Sequence, residues 1–211
     1  MSAWFDPKTI LNAAHHNAVF NRRVKVLAKH IAEAVPGGGT VLDLGAGDGS
    51  IAAAIMGQRP DLVIAGVDVM LRPVTHIPVT LYDGVTLPLG DGSFDYVTIV
   101  DVLHHTDDPG AVLAEAARVA RRGVIVKDHL VAGVLARPTL RLMDWVGNRG
   151  HDVVLPYNYL DAAGWQRAHR QAGLEVAERR GRLGIYPAPF TYLFDRQLHF
   201  VDVLRHVHKA R

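Results

Sequence analysis

Cysteine is absent from this chain of 211 residues. Its absence excludes disulfides, thiolate metal sites and a cysteine nucleophile, and it fits a reducing compartment. The sequence also lacks the run of about 18 apolar residues that a membrane-spanning helix needs. Its first residues, MSAWFDPKTI, lack the basic and apolar segments of a secretory signal. These features predict a protein of the cytoplasm.

An excess of charge of one sign is also lacking. The chain has 23 basic and 21 acidic residues, for a net charge of +2, and it contains no dense run of Lys and Arg. This argues against a nucleic-acid-binding surface. The length and the hydrophobic content of 49% suit one domain of ordinary size, and no repeat or linker interrupts it. We therefore predict a single domain over residues 1–211.

Short apolar segments alternate with helical patterns along the chain. We predict strands in TVLDL, LVIAGVD, IPVTLYD, FDYVTIVDV and VIVKD, with two later strands, LEVAERRGRL and LHFVDVLRHV, that close the sheet antiparallel. A helix is predicted in DDPGAVLAEAARVARRG, between the cap Asp108 and Gly123. Such alternation indicates an α/β fold, a mostly parallel sheet with helices on both faces. Residues 1–35 form N-terminal helices, and 130–159 form an insertion that suits a lid.

The segment VLDLGAGDGS places three glycines between a predicted strand and a helix. Ligands of open α/β sheets bind at this end of the strands, and glycine lets the backbone approach them closely. A dinucleotide-binding loop would read G-x-G-x-x-G, but Ser50 stands at the position of its third glycine. Asp43 lies two residues before Gly45, and a carboxylate there suits a cation better than a pyrophosphate.

Two further acids stand at the ends of the second and third predicted strands. Asp68 ends LVIAGVD, a position that commonly holds the two hydroxyls of a ribose. Asp83 in LYDG could accept a hydrogen bond from the exocyclic amine of a purine. Asp83 lies 15 residues after Asp68, and the segment between them contains Pro73 and Pro78, so we predict a short helix there or none.

In this order, VLDLGAGDGS, GVD, DG and LPLGDGSFDYVTIVDVLHHTDDP resemble the class I S-adenosylmethionine-dependent methyltransferases, above all the small-molecule branch that includes quinone-biosynthesis enzymes. The resemblance extends over roughly residues 22–176. It implies a Rossmann-like fold, S-adenosylmethionine as cofactor, S-adenosylhomocysteine as product and a small-molecule acceptor. The cofactor-binding residues that it implies are Asp43, Gly45 and Gly47 at the amino-acid part, Asp68 at the ribose, Val69, Asp83 and Gly84 at the adenine, and Asp101 near the sulfonium.

Histidines after two predicted strands are candidates for orienting or deprotonating the acceptor. His104 follows the fourth strand and His129 the fifth, so both should lie near the methyl group. Each could instead be a packing residue. The motif H-E-x-x-H is absent, and we predict no metal site.

Two other functions compete with methyl transfer. One is a nicotinamide-dependent oxidoreductase, against which Asp43 and the missing third glycine argue. The other is a non-catalytic protein that binds the cofactor. The sequence leaves open the identity of the acceptor and whether oxygen, nitrogen or carbon is methylated.

Overall fold

A computed structural model describes residues 7–147 and 156–207. Its strands are β1 Gly39–Leu44, β2 Leu62–Asp68, β3 Val79–Leu81, β4 Phe94–Val100, β5 Ala120–His129, β6 Leu174–Gly181 and β7 His199–His206. They form one sheet in the order β3-β2-β1-β4-β5-β7-β6. Strand β7 runs antiparallel to β5 and β6, and the remaining pairs are parallel. The predicted Rossmann-like α/β fold with an antiparallel C-terminal strand is confirmed.

The helices are α1 Pro7–Ala34, α2 Ser50–Gln58, α3 Pro109–Val119, α4 Ala136–Gly147, α5 Ala162–Gln171 and α6 Thr191–Phe194, with a 3-10 turn at Leu103–His105. Successive strand residues point to opposite faces, so the sheet has two cores. Leu42 packs with residues of α3 and α5, whereas Val41 packs with residues of α1 and α2. None of the helices in the described part of the chain combines the length and apolar character needed to cross a bilayer.

Helix α3 ends at Val119, three residues earlier than predicted. Asp108 caps it as expected, its carboxylate accepting the backbone N–H of Ala111 at 3.0 Å. The predicted end at Gly123 is wrong, because residues 120–123 already belong to β5 and Ala120 pairs with Phe94 of β4. A Cβ at Gly123 would lie 2.5 Å from the carbonyl oxygen of Leu204, so glycine allows β7 to approach β5 there. Pairing between strands therefore overrides helix propensity here.

Two other segments bear on the binding edge of the sheet. Residues 69–78, all of them described, contain no helix, as the two prolines predicted. Within the proposed lid, α4 spans Ala136–Gly147, while residues 148–155 lie outside the described part of the chain. Parallel strands β1, β2, β4 and β5 end at one edge of the sheet, and β7 begins there with His199 paired to His129. This edge gathers most of the candidate residues.

Candidate active site

The glycine loop after β1 depends on backbone angles that other residues rarely adopt. Gly45, Gly47 and Gly49 have φ angles of 77°, 59° and 74°. A Cβ at Gly45 would lie 2.3 Å from Cγ2 of Val102, so that glycine allows the turn after β4 to pack against the loop. A Cβ at Gly47 would meet nothing within 4 Å. Open space for a ligand therefore lies beside Gly47 rather than beside Gly45.

Asp68 at the end of β2 fixes this loop. One carboxylate oxygen accepts the N–H of Gly47 at 2.8 Å, and the other accepts the N–H of Met70 at 2.9 Å. A carboxylate has about four acceptor positions. Two remain after these bonds, which is the number that the hydroxyls of a ribose require.

Asp43 is a buried carboxylate with one hydrogen-bond partner in the sheet. Its side chain lies on the α1 and α2 face of β1, and Oδ1 accepts the hydroxyl of Thr98 on β4 at 2.9 Å. Burial, reinforced by the charge of Asp68, raises the pKa of Asp43 to about 6, although the Thr98 bond acts in the opposite direction. No cation pairs with Asp43 among residues 7–147 and 156–207, and a buried acid of this kind is prepared to receive a positively charged group.

Val69 and Gly84 lie side by side, since a Cβ at Gly84 would approach Cγ1 of Val69 to 3.1 Å. Asp83 beside them is exposed, and its Oδ1 accepts the N–H groups of Thr86 and Val85 at 2.8 Å. These two bonds hold the pKa of Asp83 below its ordinary value. The structure thus brings together the three residues predicted to contact adenine.

Asp101 lies directly after β4 in a left-handed conformation, with φ at 57°. It pairs with Arg23 of α1 at 2.5 Å and with the buried ammonium of Lys127 on β5. Burial opposes the charge of Asp101, but Lys127 and Arg23 hold its pKa well below the ordinary value. Lys127 is 1% exposed, so its partner is an acid and not solvent.

His104 is 2% exposed and lies between two carboxylates. Its Nδ1 is 2.7 Å from Asp128, and its Nε2 is 3.4 Å from Asp144. Burial opposes a charge on the ring, yet Asp128 and Asp144 raise the pKa of His104 to about 10. An imidazolium with both nitrogens directed at acids is a donor, and it is not prepared to accept a proton.

His129 ends β5 next to His104, with its Nδ1 3.4 Å from the Nδ1 of His104. Burial, together with the neighbouring charge of Lys127, lowers the pKa of His129 and keeps the ring neutral near pH 7. Its backbone carbonyl accepts the indole N–H of Trp165 at 2.9 Å. The two predicted histidines therefore share one buried site but differ in charge.

Sequence reasoning missed two residues near this pair, Asp144 and His199. Tyr159 donates its hydroxyl to Asp144, and the ring of His199 lies 4.9 Å from that of His129. Asn158 donates its side-chain amide to the carbonyl oxygen of Thr106 at 3.0 Å. The antiparallel register of β7 brings His199 to this edge, and no local pattern signals that register.

Known proteins with similar sequences or structures point to one enzyme class. Residues 42–126 match the family described as "Methyltransferase domain". The chain is 29% identical to the ubiquinone biosynthesis O-methyltransferase of Thiobacillus denitrificans, over 84% of this chain and 80% of that protein. It is 36% identical to the ubiquinone/menaquinone biosynthesis C-methyltransferase UbiE of Desulfotalea psychrophila, over 42% of this chain and 39% of that protein.

A solved structure shares the fold. The S-adenosylmethionine-dependent methyltransferase from Mesorhizobium loti superposes with a TM-score of 0.59 at 17% identity, over 82% of this chain and 94% of that chain. The chain is therefore an S-adenosylmethionine-dependent methyltransferase, as the ordered motifs predicted. Its cofactor is S-adenosylmethionine, and the oxidoreductase alternative finds no support.

Proposed function

We propose that this enzyme methylates a hydroxyl group of a small, quinone-type aromatic acceptor. The match to an O-methyltransferase of ubiquinone biosynthesis covers most of both chains and supports this acceptor class. The matches to C-methyltransferases cover less of both chains, the longest of those compared reaching 67% of this chain and 69% of that protein. We place the reaction in the cytoplasm. We propose no nucleic-acid partner, because the composition shows no basic run. The chain acts as one domain, with residues 130–159 as a lid.

The observation that carries the cofactor assignment is the bond between Asp68 and Gly47. It joins the glycine loop to the ribose-binding position at the carboxyl edge of the sheet, where such folds bind ligands. In our proposal Gly45 and Gly47 border the amino-acid part of the cofactor, and Asp43 receives its ammonium group. Asp68 accepts the two ribose hydroxyls.

The remaining cofactor-binding roles concern the adenine and the sulfonium. Val69 and Gly84 form an apolar border for the adenine ring, and Asp83 accepts the exocyclic amine. Asp101 lies on the sulfonium side, where the carboxylate stays ionised beside Lys127. Its negative charge offsets the positive charge of the donor before methyl transfer.

His104 and His129 form the acceptor side of the site in this proposal. Methyl transfer from a sulfonium needs alignment of donor and acceptor more than it needs acid catalysis, since the leaving thioether is neutral. His104 has both ring nitrogens directed at carboxylates, so we assign it an orienting role. His129, the neutral neighbour, is the candidate for contact with the acceptor hydroxyl.

Isothermal titration with S-adenosylhomocysteine tests the cofactor part of the proposal. Asp68→Asn should weaken binding at least tenfold, since a charged acceptor contributes about 1.5–3 kcal/mol to a hydrogen bond. Asparagine is preferred to alanine because its oxygen still holds one backbone N–H of the loop. Asp91→Asn, at an exposed acid near Arg118, is the matched control and should bind normally. Equal affinities of Asp68→Asn and the wild type would remove Asp68 from the site.

Turnover tests the acceptor. The enzyme should transfer a labelled methyl group to a hydroxylated quinol, and mass spectrometry should locate it on oxygen. Methylation at ring carbon, or of amines but no phenol, would contradict the acceptor class while leaving the enzyme class intact.

A further inference from the structure

Two aspartates and two histidines converge at the ends of β4 and β5. We refer to Asp101, His104, Asp128 and His129 as the His–Asp cluster. All except Asp101 are at most 5% exposed. One donor atom from each residue lies within 4.8 Å of the corresponding atoms of the other three. Their order in the chain gives no recognisable metal-binding motif, because the four residues come from two strand ends that only the fold brings together.

The distances within the cluster fit a tetrahedral ion. Zinc binds histidine nitrogen and carboxylate oxygen at about 2.0–2.1 Å, which places neighbouring ligand atoms about 3.4 Å apart. The Nδ1 of His129 lies 3.4 Å from the Nδ1 of His104 and 3.4 Å from Oδ1 of Asp128. It lies 3.7 Å from Oδ1 of Asp101. Four of the distances among these donor atoms therefore lie between 2.7 and 3.7 Å, and the shortest, between His104 and Asp128, would have to lengthen to admit an ion.

The surroundings also resemble those of ligands that hold a metal. Metal-bound histidines usually donate their second nitrogen to a carboxylate, which fixes the ring. The Nε2 of His104 lies 3.4 Å from Asp144, which in turn accepts the hydroxyl of Tyr159. The second oxygen of Asp128 accepts the N–H of Leu103 at 3.0 Å. Three of the four side chains are thus buried, and the contacts around His104 and Asp128 hold their donor atoms in place.

The charges leave room for a cation. Near the cluster, the carboxylates of Asp101, Asp128 and Asp144 face two permanent cations, Arg23 and Lys127. With His104 protonated, as in the metal-free site, this group of side chains is neutral; with both histidines neutral, as metal binding requires, it carries one negative charge, so the ion takes the place of the His104 proton. Because Lys127 already pairs with Asp101, we expect Asp101 to bind the ion most weakly of the four ligands.

We propose that the His–Asp cluster binds one divalent transition-metal ion of the zinc class, with two nitrogen and two oxygen ligands. The inner ligands are His104, Asp128 and His129, and Asp101 completes the tetrahedron on the side of the glycine loop. This site goes beyond the proposed methyl transfer and does not depend on the acceptor. The competing occupant is a proton, held between His104 and Asp128.

Metal-binding measurements distinguish a metal ion from a proton at this site. The protein must be untagged, because a histidine tag would itself bind metal. After removal of metal with a chelator, the wild type should bind one equivalent of Co²⁺ with the intense visible absorption of a four-coordinate site, and Zn²⁺ should abolish it. His129→Ala should lose this absorption. Asp144→Asn, outside the ligand set, should weaken binding about 10–100-fold.

The matched control is His199→Ala, which removes a neighbouring buried histidine that is not among the four ligands and should keep the absorption. Circular dichroism checks that each variant is folded. Independently of any variant, saturating Zn²⁺ should raise the Tm of the wild type by about 5–10 °C, and Mg²⁺ should not. Failure of the wild type to bind Co²⁺ or Zn²⁺ stoichiometrically, or binding retained by folded His129→Ala, would overturn the proposal and favour the proton.

Discussion

Replacing Asp43 with asparagine should stabilise the free protein and weaken cofactor binding at the same time. The carboxylate is 6% exposed, and its only hydrogen bond to a side chain among the described residues comes from Thr98. Its pKa rises from 3.8 to about 6 on folding. At 1.36 kcal/mol per pH unit, this difference corresponds to about 3 kcal/mol.

The sign follows from proton linkage. Below pH 4 the carboxyl is protonated in both states, and burial carries no charge penalty. Between about pH 4 and pH 6 the unfolded chain ionises first, so the wild type loses up to about 3 kcal/mol of stability, and above pH 6 the loss is complete. Asparagine has no such titration, and its oxygen still accepts the hydroxyl of Thr98.

We expect a net gain of about 1–3 kcal/mol for Asp43→Asn at pH 7, a rise in Tm of several degrees, and no gain near pH 3.5. Calorimetry across this pH range measures it. Asp83→Asn is the control, because the pKa of that exposed acid is lowered and its removal should give no such gain. Affinity for S-adenosylhomocysteine should fall about tenfold or more in Asp43→Asn. A variant that is less stable than the wild type at pH 7, with an unchanged pH profile, would refute the reasoning.

Three further variants test the loop and a helix cap. Gly45→Ala should lower Tm strongly, because its Cβ would overlap Val102. Gly47→Ala should cost only about 1–2 kcal/mol of backbone strain, yet it should reduce cofactor affinity; equal Tm losses in the two variants would contradict this contrast. Asp108→Ala should cost about 1 kcal/mol through loss of the α3 cap, or about 2–4 °C in Tm, and an unchanged Tm would show that the cap contributes nothing.

The sequence predicted the sheet well because its signals are local. Apolar runs and alternation located every strand, and β2 was predicted with its observed bounds, Leu62–Asp68. The predicted cap Asp108 marks the observed start of α3, where it accepts a backbone N–H. The end of α3 was predicted wrongly because it depends on the pairing of Ala120 with Phe94, a contact between residues far apart in the sequence.

The site was only partly predictable for the same reason. Each of Asp43, Asp68 and Asp101 follows or ends a strand, and this position in a parallel sheet is visible in the sequence. The sequence reading of the glycines as space for a ligand suits Gly47, while Gly45 makes room for Val102. The charge of His104 depends first on Asp128, 24 positions away on β5, and then on Asp144, 40 positions away on α4. Such contacts follow from tertiary packing and have no signature in the chain.

The most direct test of the central claim is a crystal structure of the protein with bound S-adenosylhomocysteine. The account predicts ribose hydroxyls within hydrogen-bond distance of Asp68, the amino-acid part beside Asp43 and Gly47, and the sulfur on the side of Asp101. A cofactor bound away from the carboxyl edge of the sheet, or a ribose without contact to Asp68, would contradict it.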